Sequence, residues 1–472
     1  MNAKRITPIR RVLAVAALAA TAGGCNFVDA TTSNPNAVPN AAMDQLFTAI
    51  QVNSYLLSEG QISRISSMWM QQMAGTDRQF SSLDLYDLNE DDADDEFNTI
   101  YTGGGLIDLR RAQQLARDAE REAYLGILQI HEAYLIGMAA SIWGDIPYTE
   151  AVDPAIAEPA LDAQEEIYAA MQALLDEAIS NLGGGGAGPG GNDFNFGGDA
   201  ARWTRVANTL KARFYMHWVE ASSAEATTAC GGDCLQKAMA AAQAGIVTAA
   251  GDWRAQHGAA STENNLWYQF LRDRSGYISA GHHLLNLLQT RNDPRLELYY
   301  STGSGPNDGV FVGSPPGAPG GDPGTTASSL SDDGFGNPAF DQPMVSCAEN
   351  AFILAEAAYL LNNTGLAQSA LQDGVACQEA AFGIDIPNVP TLTGAALLTE
   401  ILTQKYAAMF LNIEAYNDYK RTCQPALVSN SQVDVSDMPG RLFYGQQERQ
   451  TNSNMPEPDQ QPVRNANDPQ GC

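Results

Sequence analysis

The sequence predicts a mostly helical protein, and three observations carry that prediction. Apolar side chains recur at helical spacing through most of the chain, for example over 121–142 and 348–362. Strand-like segments are few and short, near 83–88, 266–271 and 309–312. Hydrophobic residues make up 44% of the 472 residues, so the chain can form a sizeable core.

The helical pattern divides into segments, some of which start with N-capping residues. Asp162 stands at one such start and Thr393 precedes another. The predicted helices lie near 41–58, 61–73, 93–117, 121–142, 161–182, 201–221, 234–249, 278–290, 348–362, 366–381 and 395–412. Three segments interrupt the pattern: a glycine-rich loop at 183–198, a long excursion at 301–343 and an irregular tail at 424–472. Within 347–381, small residues on both sides of a turn predict a close helical hairpin of the tetratricopeptide kind.

The N-terminus has the features of an export signal. In residues 1–24, basic side chains precede an apolar run that is too short to span a bilayer, and small residues follow it. Cys25 comes directly after these small residues, which resembles a bacterial lipobox. We therefore expect a signal peptide at 1–24, lipidation of Cys25 and a lipid-anchored tether at 25–40. The alternative is a plain signal peptide followed by free export.

The charge of the chain restricts its partners. The formal net charge of −29 repels phosphate backbones, so nucleic acid is not expected as a partner. The same charge disfavours binding to an anionic membrane by charge alone. A link to the membrane is therefore expected to come from the lipid on Cys25, and no transmembrane helix is expected.

Six cysteines remain after Cys25, and an even number in an exported protein favours disulfides. Fifteen connectivities are possible in principle. Cys347 and Cys377 lie at the same end of the predicted hairpin, so we pair them. Cys230–Cys234 would close a short loop, and Cys423–Cys472 would hold the irregular tail. Zinc binding is the competing hypothesis, but no CxxC pair or histidine cluster supports it.

The sequence contains no recognisable catalytic signature. Neither a GxSxG nucleophile elbow nor an HExxH metal motif is present, so we predict no enzyme, no catalytic residues and no cofactor. Residues 84–96 hold eight acidic side chains without the spacing of an EF-hand. They are interpreted as a solvated helix start, with a calcium site as the alternative.

Several short motifs are spread over nearly the whole mature chain. They are Asn34-Pro35-Asn36, Trp69-Met70-Gln71-Gln72, Trp143-Gly144-Asp145-Ile146-Pro147-Tyr148, Gly197-Gly198-Asp199 with Trp203, Asp293-Pro294-Arg295, Asn417-Asp418-Tyr419-Lys420-Arg421 and Pro439-Gly440-Arg441. In their order and spacing, the chain resembles the SusD/RagB family of outer-membrane nutrient-binding lipoproteins, nearer to its SusD-like second branch. Cys423 and the long insertions at 183–198 and 301–343 depart from the family pattern.

The resemblance implies a single helical domain over 41–472, with four tetratricopeptide-like helix pairs. It also implies a place at the bacterial outer membrane, nutrient ligands of the oligosaccharide class, and a SusC-type TonB-dependent transporter barrel as partner. Two other classes stay open at this point. One is a helical-repeat scaffold without a small ligand, and the other is a surface lipoprotein enzyme.

Aromatic side chains are the candidate ligand contacts, because sugar rings stack their C–H faces on them. Trp69, Phe80 and Tyr86 flank a turn at 75–78. A second cluster holds Trp267, Tyr268 and Tyr277 together with Arg274, and we expect Trp267 and Tyr268 to form the main platform. The alternative is that these rings pack the core of the body.

Overall fold

The structure is a computed structural model that describes residues 41–317, 326–468 and 471–472. The predicted signal peptide 1–24, Cys25 and the tether 25–40 lie outside the described residues. Met43–Cys472 forms one unit.

The prediction of a mostly helical fold is confirmed, with short strands and long connections between the helices. The helices are α1 (Met43–Glu59), α2 (Gln61–Trp69), α3 (Arg78–Asp84), α4 (Asp94–Tyr101), α5 (Leu106–Asp118), α6 (Glu122–Trp143), α7 (Gln164–Gly184), α8 (Ala200–Met216), α9 (Ser223–Cys230), α10 (Cys234–Gln243), α11 (Leu266–Asp273), α12 (His282–Arg291), α13 (Arg295–Tyr299), α14 (Cys347–Leu360), α15 (Thr364–Phe382), α16 (Ala395–Ala408), α17 (Glu414–Thr422) and α18 (Gln446–Thr451). The strands are β1 (Met73–Gly75), β2 (Trp253–Ala255), β3 (Ile278–Ala280) and β4 (Gln342–Val345), which pair antiparallel as β1–β3 and β2–β4.

The helices stack in series, as in tetratricopeptide-like repeats. Helix α6 packs on α7, α7 on α8, α8 on α10, α10 on α14, and α14 on α15. Glycines allow the closest approaches. A Cβ on Gly137 would lie 2.2 Å from the ring of Phe214, and a Cβ on Gly374 would lie 2.4 Å from the ring of Phe352. The small residues therefore set the spacing of the helix pairs.

All three strand predictions are wrong. Most of 83–88 is the end of α3 and the turn after it, 266–271 lies in α11, and 309–312 forms no strand. The reason is clearest at α11, where the Asn265 side chain accepts hydrogen bonds from the amides of Trp267 and Tyr268 and so starts a helix. The single predicted helix 93–117 is also interrupted, because glycines between α4 and α5 adopt positive φ.

The C-terminal end of α6 is buried, and distant segments complete its hydrogen bonds. Gln164 at the start of α7 donates to Ala140 O at 2.8 Å, while Lys420 and Asn465 donate to Ser141 O at 2.7 and 3.0 Å. The last four carbonyls of a helix lack partners within it, so a buried end needs such donors. This arrangement joins α6, α7, α17 and the tail.

Helix α6 is long and apolar enough to cross a membrane by length and composition, but its apolar window is entirely buried inside the protein. Every residue from Ala123 to Trp143 is buried against neighbouring helices. Helix α6 is therefore the core helix of the body.

The six described cysteines lie in the three predicted pairs. The Cα atoms are 5.3 Å apart in Cys230–Cys234, 5.8 Å apart in Cys347–Cys377 and 5.2 Å apart in Cys423–Cys472. The first pair links α9 to α10, the second links α14 to α15, and the third attaches the chain end to the residue after α17.

Replacing Gln164 tests the importance of the α6 end. In Gln164→Met, the amide and the side-chain oxygen of Asn467 lose their partner, while Ala140 O keeps only the Gly144 amide, and a buried polar group left unsatisfied costs about 1–3 kcal/mol. We expect the free energy of unfolding, measured in urea, to fall by at least that amount. The matched control is Gln114→Met, because Gln114 is exposed and bonds only to Asp118. Equal, small losses in both variants would contradict the account.

Candidate ligand-binding site

The pairing of β1 with β3 brings most of the predicted ligand residues together. Gly75 lies opposite Ile278, and the Thr76 amide donates to Tyr277 O at 2.9 Å. This register places the turn before α3 beside the connection that follows α11. Phe80 of α3 consequently packs edge-on against Phe270 of α11, with ring centroids 5.0 Å apart.

Three of the predicted rings lie inside the body, which corrects their expected position at the surface. Trp267 is 0% exposed and donates from Nε1 to Ser63 Oγ at 3.2 Å. Trp69 is 1% exposed and Phe80 is 2% exposed. Trp267 faces inward because it lies in the first turn of α11 rather than in a connection between helices. These rings cannot stack on a ligand in this conformation.

The other predicted residues reach the surface. Tyr268, Tyr277 and Tyr86 are half-buried, and Arg274 is exposed. The Arg272 guanidinium lies 5.8 Å from the centroid of the Tyr268 ring. Tyr86 is separated from the α11 cluster and packs against Trp69, with centroids 6.1 Å apart. The predicted residues thus divide into an α11 cluster and a smaller group at the end of α3.

An open groove runs between α1 and α11, beside the α11 cluster. It consists of two adjoining cavities of about 510 and 360 Å³. Leu56, Leu266 and Gln269 line both cavities, so they form the boundary between the two. We call the larger the Phe194 cavity, the smaller the Arg64 cavity, and the two together the α1–α11 groove.

The Phe194 cavity combines an apolar wall with amide groups. Val52, Leu56 and Phe194 are exposed along its wall, and Phe194 is 44% exposed. The amides that line it belong to Gln256, Asn264 and Gln269. An exposed ring in the same cavity as side chains that both donate and accept hydrogen bonds suits a ligand with apolar faces and hydroxyl edges.

The glycine-rich loop holds Phe194 in place, although the sequence showed no role for it. Buried Asp193 accepts hydrogen bonds from the amides of Asn195 and Gly198 at 3.0 and 2.8 Å and from Trp203 Nε1 at 2.8 Å. The Phe194 amide donates to Gln51 Oε1 at 3.0 Å. The loop is therefore tied to α1 and α8. The sequence feature that could have indicated this role is a phenylalanine next to an aspartate within a glycine-rich run.

An acid–imidazole pair lies beside the Phe194 cavity, which His257 lines. His257 Nε2 lies 2.9 Å from Glu59 Oε1, and His257 Nδ1 lies 3.1 Å from Glu263 O. The Leu266 amide donates to Glu59 Oε2 at 3.2 Å. Because both ring nitrogens face oxygen acceptors, the geometry suits a protonated imidazole. The pair joins α1, the 256–264 connection and α11.

The pKa values of this pair both move upward. Burial raises the pKa of Glu59, against the opposing effect of its bond to His257. Burial alone would lower the pKa of His257, but the hydrogen bond and charge of Glu59 outweigh it and raise that pKa. Asp341 acts in the same direction on both groups, and the Tyr55 ring lies 6.2 Å from the imidazole.

The Arg64 cavity has charged walls. Arg64 of α2 and Arg274 line it together with Asp95 and Glu96 of α4, and Phe270 contributes an aromatic ring. The Arg64 guanidinium lies 4.7 Å from the Phe270 centroid, and that of Arg274 lies 5.8 Å from it. Guanidinium groups on an aromatic face are held in plane and keep their donors available for a ligand.

Two residues of the acidic segment 84–96 contact the helix α18 near the C-terminus. Glu90 forms an ion pair with Arg449, and Asp94 accepts a hydrogen bond from the Gln447 amide at 3.0 Å. Among the described residues, no group of three or more His, Cys, Asp or Glu side chains is arranged to hold a metal ion.

A stack of helix pairs that carries an open groove of apolar, amide and guanidinium groups defines a ligand-binding protein. The model of the SusD-like family, described as starch-binding and associating with the outer membrane, matches residues 35–445. The chain belongs to this family, which confirms the resemblance seen in the sequence. Members of the family are binding proteins associated with the outer membrane, so the chain is not an enzyme.

Solved structures of similar proteins share the fold. A SusD/RagB family protein from Bacteroides thetaiotaomicron has 23% identity and a TM-score of 0.70, over 88% of this chain and 95% of that chain. A chitin-binding SusD homolog from Flavobacterium johnsoniae has 22% identity and a TM-score of 0.73, over 90% and 98%. A SusD homolog from Bacteroides vulgatus has 20% identity and a TM-score of 0.73, over 90% and 97%. A comparison with curated proteins found no match.

The Glu59–His257 pair predicts a loss of stability at alkaline pH. A histidine with a raised pKa in the folded state stabilises it fully below the unfolded value of about 6.5, and this contribution is lost as the pH rises through the raised value. The raised pKa of Glu59 acts in the same direction.

We therefore expect the melting temperature to fall more between about pH 6 and about pH 9 in the parent than in His257→Gln. Comparing variants across pH removes the contribution of other titrating groups. His282→Gln is the control, because His282 is exposed and bonds to Asn286. A parent and a His257→Gln variant with the same pH dependence would refute the proposed role of the pair.

Proposed function

We propose that the chain binds an oligosaccharide in the α1–α11 groove and delivers it to a SusC-type TonB-dependent transporter barrel. The observation that carries this proposal is the exposed Phe194 ring in one cavity with the side-chain amides of Gln256, Asn264 and Gln269. Sugar rings have apolar faces and hydroxyl edges, and this wall matches both. The predicted segment 264–270 supplies one side of the groove.

The family supports a glycan as the ligand class. Its description names starch binding, and the similar Flavobacterium johnsoniae protein is described as chitin-binding. The groove also favours this function over a helical scaffold without a ligand. A scaffold has no need for a partly exposed phenylalanine that is held by Asp193 and Gln51 at the edge of a 510 Å³ cavity.

We also propose that lipid on Cys25 anchors the protein to the outer membrane, facing the cell surface. Two or more acyl chains hold a protein on a membrane where a single chain binds only reversibly. A protein held there can remain next to a transporter barrel and present its groove to incoming ligand.

Substitution of Phe194 tests the ligand site. Phe194→Ala removes the exposed ring, and loss of a stacking contact of about 1 kcal/mol or more lowers affinity at least about fivefold. The ligands are starch and chitin fragments together with acidic oligosaccharides, measured by calorimetry. Because the ring is partly exposed, the melting temperature is expected to change little. Val310→Ala, at an exposed position that lines neither cavity, is the control. Unchanged affinity in Phe194→Ala would place the site elsewhere, and a parent that binds no oligosaccharide would refute the glycan function.

Substitution of Cys25 tests the anchor. In Cys25→Ser no thiol is available for acylation, so the protein should move from the membrane fraction to the soluble fraction. When membranes that carry the parent protein are solubilised in detergent, the parent should purify together with a transporter barrel of the SusC type. Retention of Cys25→Ser on membranes would contradict lipid anchoring, and a parent that purifies without a barrel would contradict the partner.

A further inference from the structure

The Arg64 cavity brings two guanidinium groups to one small space. Arg64 comes from α2 and Arg274 from the residue that follows α11, and both lie against the Phe270 ring. The chain carries 55 acidic residues against 26 basic ones. Two arginines that meet in one cavity are therefore unlike the general surface, which repels anions.

Neither arginine is neutralised by a direct ion pair. Within the part of the chain that the structure describes, no carboxylate oxygen lies within 4.0 Å of either guanidinium. The Arg64 side chain donates only one hydrogen bond, from Nε to Gln61 Oε1 at 3.3 Å, while Arg272 is bound by Asp273. The terminal nitrogens of Arg64 and the whole Arg274 head therefore have donors available.

The partial burial of Arg64 has an electrostatic cost. The pKa of Arg64 is lowered to about 10, mainly by burial; the charge of Glu96 opposes this shift and that of Arg274 adds to it. A charge removed from water is stabilised by an opposite charge that forms hydrogen bonds with it. An anionic group bound between the two arginines would supply both.

The acidic side chains of the cavity limit where such a group can lie. Asp95 and Glu96 come from α4, whereas Arg64, Arg274 and Phe270 come from α2 and the α11 region. A third acid of the lining, Asp273 at the end of α11, is already bound by Arg272 through two hydrogen bonds of 2.7 and 2.9 Å. Burial raises the pKa of half-buried Glu96, while Asp95 is exposed. An anion is therefore favoured on the Phe270 side of the cavity and repelled from the α4 side, so a bound anionic group is expected to lie against Phe270.

We propose that the Arg64 cavity binds the carboxylate or sulfate group of an acidic oligosaccharide. The inference rests on the proposed glycan function and names the ligand class. A neighbouring sugar unit of the same chain lies on Phe194, since the two cavities meet at Leu56, Leu266 and Gln269. A guanidinium binds a planar carboxylate through two parallel hydrogen bonds, and it also binds the tetrahedral oxygens of a sulfate.

Matched oligosaccharides test this inference. The first pair is an oligogalacturonide and its methyl ester, which removes the charge and keeps the sugar backbone. The second pair is a chondroitin sulfate oligosaccharide and its desulfated form, and neutral starch and chitin fragments complete the set. We expect at least one charged member to bind about tenfold more tightly than its uncharged partner in calorimetry, because charge-assisted hydrogen bonds are involved. The pair that shows this preference distinguishes a carboxylate from a sulfate ligand.

Variants assign the preference to the cavity. Arg64→Gln and Arg274→Gln should each abolish most of the preference for the charged oligosaccharide. Because Arg274 is exposed, its replacement should not disturb folding. Arg111→Gln makes the same charge change on exposed α5, away from both cavities, and should keep the preference.

Two results would overturn the inference: charged members that bind no better than their uncharged partners, or a preference that survives in Arg274→Gln. If neutral fragments bind while charged ones do not, the glycan function stands and the anion site is wrong. If no oligosaccharide binds to the parent, both proposals are wrong.

Discussion

The buried end of α6 is the contact on which the rest of the structure depends. Its last carbonyls accept hydrogen bonds from Gln164, Lys420 and Asn465, which belong to segments far apart in the sequence. Without them the end of a fully buried helix would leave polar groups unsatisfied. Because α6 also contacts α1, where Ser54 Oγ lies 3.2 Å from His131 Nδ1, the same contact fixes the helix that forms one wall of the groove.

Buried ion pairs connect further parts of this framework. Arg421 binds Glu356 and Asp418, and Arg213 binds Glu349 in the same interior. Removing one partner from such a pair leaves a buried charge without compensation, which is strongly destabilising. The motif Asn417–Arg421 therefore acts in folding, as does Trp143, which is fully buried and donates to Phe443 O at 2.8 Å. The motifs that identify the family mostly build the frame, whereas the proposed groove is lined by α1, α11 and the connections beside them.

The sequence predicted the helical body well and the ligand surface only in part. Helix periodicity, the hairpin at 347–381 and the cysteine pairs follow from local patterns that the structure shows. The inward orientation of Trp267 did not follow from local pattern, because it depends on the Asn265 cap and on a partner, Ser63, that is distant in sequence. Phe194 was missed for the same reason, since only Asp193, Gln51 and α1 make its loop a wall of a cavity. The exposure of a side chain depends on tertiary contacts, so it cannot be predicted from the hydrophobic periodicity of one segment.

The proposed function depends on ligand binding between α1 and α11. Hydrogen exchange of the backbone amides, measured with and without a bound oligosaccharide, is the decisive measurement. We expect ligand to slow exchange in 48–64, 95–99, 192–196 and 256–274, which contain the residues that line the two cavities. Protection confined to other segments, such as the α14–α15 hairpin or the connection at 301–317, would contradict it.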